Sequence, residues 1–118
     1  MESRRIIAML IGTALAGGSI LAAPRRISGE VVEIACMRNG SDSSGQEHKV
    51  CAVSCARGGA PLGILTDEDV IEIVGDYAAN RNAKLLPFVA EEVVATGDVT
   101  IEEGRPVIRI TTIKVVKK

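Results

Sequence analysis

The chain has 118 residues, a formal net charge of -1, a pI near 5.8 and only two aromatic residues, Tyr77 and Phe88. That length allows a single small domain, whose core must be built from Val, Ile, Leu and Ala. The near-neutral balance lacks the concentrated positive surface that binding a polyanion requires, so no nucleic-acid partner is expected.

The N-terminus begins Met1-Glu2-Ser3-Arg4-Arg5 and runs without a charge from Ile6 to Ala23, ahead of Pro24-Arg25-Arg26. A basic start, an apolar middle and a small-residue end are the three parts of an export signal, with Leu21-Ala22-Ala23 as the cleavage region. Left uncleaved, the same run is about as long as the shortest membrane-spanning helix, roughly 17 to 25 residues, and would act as an anchor. Either outcome places residues 24–118, the folded body, on the periplasmic or extracellular side.

From Ile27 the pattern changes to alternation, with Ile27, Gly29 and Val31 on one side and Ser28, Glu30 and Val32 on the other. This predicts a first strand running to about Ala35. Arg38 to Gly45 is rich in Asn, Gly, Ser and Asp and reads as a loop. Gln46 to Arg57 is helix-compatible and stops at Gly58-Gly59, a helix C-terminal signal. Pro61 to Thr66 and Val70 to Val74 read as two short strands joined by the polar turn Asp67-Glu68-Asp69. Asn80 to Asn82 is another polar break, and Lys84 to Ala90 reads as a short helix interrupted at Pro87. Glu92 to Ile101 and Val107 to Val116 are two long strands around Glu102-Glu103-Gly104-Arg105, a hairpin signal between runs of β-branched residues. Five short strands with a Cys/His-bearing helix after the first and a short helix before the fourth predict a mainly β, OB-type barrel. Closing the sheet protects the strand edges of so small a chain, and Gly29, Gly63 and Gly97 suit bulges or corners.

The chemistry is concentrated in one stretch. The single histidine and all three cysteines of the chain fall at Cys36, His48, Cys51 and Cys55. Thiolate and imidazole are the ligands favoured by Zn²⁺ and Cu⁺, and four of them fill a tetrahedral sphere. Along a helix, three residues advance about 300° and seven about 340° beyond a whole turn, so His48, Cys51 and Cys55 share one stripe. Cys36, at the end of the first strand, can complete the set through the loop that follows. Four protein ligands leave no open position for substrate, which points to a structural or carrier ion and not to catalysis. Zn²⁺ is the default ion, and the thioether of Met37 beside Cys36 keeps Cu⁺ open.

A disulfide from Cys36 to Cys51 or Cys55, with one thiol left over, is the competing reading for an exported chain. Cys51 and Cys55 are poorly directed toward each other for such a bond. The spacing is wrong for haem attachment, which needs histidine directly after the second cysteine, and wrong for a thiol oxidoreductase, which needs Cys-x-x-Cys. No Ser-His-Asp set is expected, since the one histidine belongs to the cysteine cluster.

The run from His48 to Asp67, HKVCAVSCARGGAPLGILTD, preceded by Gly29 to Cys36, GEVVEIAC, resembles small exported bacterial proteins of uncharacterised function. Those are OB-type barrels with a cysteine after the first strand and an H-x-x-C-A-x-x-C segment ahead of G-x-P-x-G-x-L-T-D. The later Glu92-Val93-Val94-Ala95-Thr96-Gly97 is similar to their strand before a closing hairpin, and the turn at Asp67-Glu68-Asp69-Val70 departs from their usual aspartate-glycine. The resemblance covers most of the exported body and implies fold, compartment and the four clustered positions, with no activity attached. The residues therefore predict a non-enzymatic exported protein that holds one Zn or Cu ion. The alternative is an accessory subunit anchored by its N-terminal helix, with a protein partner in a membrane complex and its cysteines in a disulfide.

Overall fold

The computed structural model describes residues 23–38 and 45–116. The expected export signal or anchor and most of the Asn/Gly/Ser loop lie outside the described residues. Among the described residues no helix is long and apolar enough to cross a membrane.

Alternation sets the first strand. In β1 (Ala23–Glu33), Ile27, Gly29 and Val31 are buried while Ser28 is exposed, as the period-two pattern requires. The strand starts four residues ahead of the alternation and stops at Glu33. Its carboxylate ends it, accepting the N–H groups of Ala35 at 2.8 Å and Cys36 at 3.4 Å and so capping α1 (Ile34–Arg38). Cys36 therefore stands on a short helix and not at a strand end.

A 3₁₀ turn over Gln46–His48 leads into α2 (Lys49–Arg57), which stops at Gly58, followed by Gly59 at φ +100°. β2 (Leu62–Leu65) and β3 (Val70–Val74) follow, joined by a turn in which the Thr66 and Asp69 backbones are bonded at 2.8 Å. The expected short helix before the fourth strand is reduced to a 3₁₀ turn, Leu86–Phe88, with Pro87 inside it. β4 (Glu92–Glu102) and β5 (Arg105–Val115) close the chain as a hairpin. Its two loop residues, Glu103 at φ +53° and Gly104 at φ +80°, are both left-handed, as a type I′ turn demands.

The five strands form one mainly β sheet. β1 pairs antiparallel with β2 and with β4, β2 with β3, and β5 with β4, while β3 and β5 run parallel through Glu72–Val107, Ile73–Ile108 and Val74–Arg109. The order β1-β2-β3-β5-β4 returns to β1, so the sheet closes into a ring. β1 serves both sides of the ring, pairing with β4 over Ala23 to Glu30 and with β2 over Glu30 to Glu33.

The fully buried side chains are aliphatic, as composition predicts. Val31, Leu62, Ile64, Ile73, Leu85, Val89, Val93 and Ile108 form the centre, with Ala52 and Ala56 of α2 packed on it. Tyr77 and Phe88 pack only at its margin.

Candidate metal centre

α2 carries three of the four predicted ligands, and its seating determines what they can do. Ala52 and Ala56, one turn apart, are its buried residues, and Val50 on the far side is 82% exposed. Two small residues on the inner face let the helix backbone approach the sheet closely. The start of the helix is tied to the chain ahead of β4 by two contacts. The Gln46 side-chain amide donates to the Ala90 carbonyl at 2.8 Å, and the Lys49 ammonium meets the Glu91 carboxylate at 3.0 Å. Gly45 N–H donates to the Glu30 carboxylate at 2.6 Å, which brings this end of the helix beside the middle of β1.

The far end is held by Asn82. Its buried side-chain amide donates to the carbonyls of Ala56 at 3.0 Å and Ala60 at 2.8 Å, bridging the last turn of α2, where the Ala56 carbonyl also accepts from Gly59 N–H, to the chain that follows it. Asn80, Arg81 and Asn82 are all left-handed, with φ of 55°, 55° and 62°. Such a run is costly for residues with a Cβ, and asparagine tolerates it better than most. The sequence marks this stretch only as a polar break, although paired asparagines are the one available sign of left-handed backbone.

Two of the three expected stripe residues, Cys51 and Cys55, stand on α2, and His48 stands just ahead of it with φ -101° and ψ 5°. His48 is the residue before α2 and is half-buried, and its side chain makes no capping bond. Cys51 and Cys55 follow at one-turn intervals, about 6 Å apart along the axis by helical rise, and both thiols are free and exposed. Cys36 is half-buried on α1. Two residues before it, Ile34 N–H donates to the Pro61 carbonyl, and Ala60 N–H donates to the Cys55 carbonyl, each at 3.1 Å. Among the described residues, no three His, Cys, Asp or Glu side chains are gathered closely enough to hold a metal ion. The Met37 side chain lies outside what is described.

The electrostatics at the His48 end centre on Glu91. The Lys49 ammonium, hydrogen-bonded to it and attracting it, holds the Glu91 carboxyl below its ordinary value. A carboxyl lowered by folding contributes stability in full above the unfolded value, about 4.3, and loses it as pH falls through the lowered one. The protection of first-turn α2 amides, measured against their intrinsic exchange rates, is therefore expected to fall as pH drops through the lowered Glu91 titration, and Glu91→Gln should remove that fall. An unchanged response in Glu91→Gln would assign it to another group.

Comparison with known protein families, with curated proteins and with solved structures finds no match.

Proposed function

We propose that this chain is a small exported metal-binding protein without catalytic chemistry, holding one Zn²⁺ or Cu⁺ ion through Cys36, His48, Cys51 and Cys55. The observation that carries the reading is the exposed thiol pair Cys51 and Cys55, one helical turn apart with His48 one turn earlier. Solvent-facing soft donors on one stripe of a well-seated helix can take up an ion without rearranging the core. Ala52, Ala56, Asn82, Gln46 and Lys49 place α2 with no help from the donors. The ion is therefore cargo and not a staple, and the function is metal handling. Cys36, two residues after Ile34 on α1, is the donor that closes the sphere.

The scaffold on this reading is an OB-type barrel. Its support is the Greek-key order of five strands, closed through β1 and β4. The segment between β3 and β4 holds only short turns, and α2, placed earlier in the chain, contributes the helical packing on the core.

Elemental analysis of the protein isolated from the exported fraction tests the reading. One equivalent of zinc or copper is expected, lost in Cys51→Ser/Cys55→Ser with the circular dichroism spectrum unchanged. A metal-free preparation with a single titratable thiol would overturn it. That result would favour the second reading. In it Cys36 and Cys55 are joined in a disulfide and the chain is an accessory subunit at a membrane complex.

A further inference from the structure

Because no three His, Cys, Asp or Glu side chains are gathered among the described residues, the donors that helical geometry brings together are a pair. Cys51 and Cys55 stand one turn apart on α2, and both are exposed. Residues at this spacing have Cβ atoms about 5 to 6 Å apart. A direct disulfide needs about 3.5 to 4.5 Å, so the pair is too wide to close on itself. It is wide enough to bracket an ion, since two metal–thiolate bonds of about 2.3 Å in line span about 4.6 Å.

The spacing is held from the other face of the helix. Ala52 and Ala56 are buried against the core, and the contacts of Gln46, Lys49 and Asn82 fix the two ends of α2. Cys36 and His48 are held by backbone bonds of their own. The Glu33 carboxylate accepts Cys36 N–H at 3.4 Å, Ile34 N–H is bonded to the Pro61 carbonyl, and His48 N–H donates to the Gly45 carbonyl at 3.1 Å. A tetrahedral ion must draw both residues to the thiol pair, whereas a two-coordinate ion needs neither.

That difference separates the two candidate ions. Zn²⁺ is four-coordinate in nearly every structural site, and two thiolates leave its sphere half-filled. Cu⁺ is a soft, monovalent, closed-shell ion that two thiolates in line satisfy. Its bis-thiolate keeps one negative charge, which the exposure of both thiols leaves hydrated.

We propose, resting on the metal-handling reading above, that the ion is Cu⁺ and that Cys51 and Cys55 alone load it as a two-coordinate bis-thiolate. The two S–H protons pass to solvent as the two Cu–S bonds form. Cys36 and His48 join the sphere only after capture. An ion loaded on exposed thiols is open to a third soft donor from a recipient, which suits cargo that is taken up and handed on.

The test uses the full chain from the exported fraction, reduced, stripped of metal and kept from oxygen, with Cu⁺ supplied as its bicinchoninate complex and Zn²⁺ as the sulfate. Cys36→Ser/His48→Gln is expected to take up one equivalent of Cu⁺ at a rate within about twofold of the unaltered chain and to take up no Zn²⁺. X-ray absorption of that variant should show two sulfur neighbours. Cys51→Ser and Cys55→Ser, both exposed changes, should each weaken Cu⁺ retention about a hundredfold or more, with circular dichroism unchanged in every variant. Loss of Cu⁺ uptake in Cys36→Ser/His48→Gln overturns the inference and leaves the four-donor reading standing. The same holds if Zn²⁺ displaces Cu⁺ from the unaltered chain. Uptake of neither ion by the unaltered chain overturns the metal-handling reading and this inference together.

Discussion

Gly97→Ala is expected to destabilise the fold by about 3 kcal/mol or more, at the upper end of what overpacking costs. For a domain of this size that is a fall in Tm on the order of 15 °C. The reason is a close approach of two backbones. A Cβ on Gly97 would stand 2.1 Å from the Arg109 carbonyl oxygen and 2.8 Å from the Ile110 Cα, atoms that cannot move without breaking the β4–β5 ladder. Gly97 sits at the bulge where the register shifts, with Thr96 opposite Thr112 and Gly97 opposite Ile110. The Thr111 hydroxyl fastens the irregularity by donating to the Thr96 carbonyl at 3.0 Å. The unopposed residue is Thr111 of β5, so the bulge bends β5 against β4 and raises the local twist, which helps the ring close.

The control is Gly104→Ala. Gly104 has φ +80° with open space around the added methyl, so only the left-handed penalty of about 1 kcal/mol applies. Thermal unfolding followed by circular dichroism separates the two effects. Equal Tm losses in the two variants would show that the close approach at Gly97 carries no special cost. Gly29 is the matching site on β1, since a Cβ there would meet the Leu65 carbonyl oxygen at 2.1 Å where β1 passes from β4 to β2.

These glycines illustrate what is legible in the chain. Alternation in Ile27 to Val32 and the β-branched runs around Glu103-Gly104 specify strands because each residue's neighbours in sequence decide its face. Gly58-Gly59 ends α2 for an equally local reason. The end of β1 is less legible, because the buried Glu33 carboxylate converts the next residues into a helix, and its burial depends on strands far away in sequence. The chain from Gly75 to Glu91 is the least legible part. Its course follows from the contacts of Asn82, Leu85 and Val89 with the core and α2, none of which appears in local propensity. For the candidate site, helical spacing relates Cys51 to Cys55, but it does not show that His48 stands just ahead of α2 or that Cys36 stands on α1.

Asn82 offers the sharpest link between this non-local architecture and the proposed thiol site. Asn82→Ala is expected to cost about 2 to 4 kcal/mol, because it takes the side-chain donor from the Ala60 carbonyl, leaves the Ala56 carbonyl with the Gly59 N–H alone, and puts a less tolerant residue at φ 62°. Asn82→Gly isolates the amide. It removes the same two bonds while relieving the backbone, so it should recover about 1 kcal/mol of that loss and no more. Asn82→Asp should be the worst of the three, since a buried carboxylate oxygen would replace the donor facing the Ala56 and Ala60 carbonyls. Chemical denaturation gives the order Gly, Ala, Asp from least to most damaging. If Gly restores full stability, the cost is conformational and the capping amide contributes nothing. The functional consequence follows from position. Ala56 is the residue after Cys55, so losing the cap frays the turn that presents Cys55, while Cys51 stays on the turn held near Lys49 and Gln46. Alkylation in Asn82→Gly should therefore accelerate at Cys55 relative to Cys51. Equal acceleration at both thiols would mean that α2 moves as one body and that its two ends are not separately held.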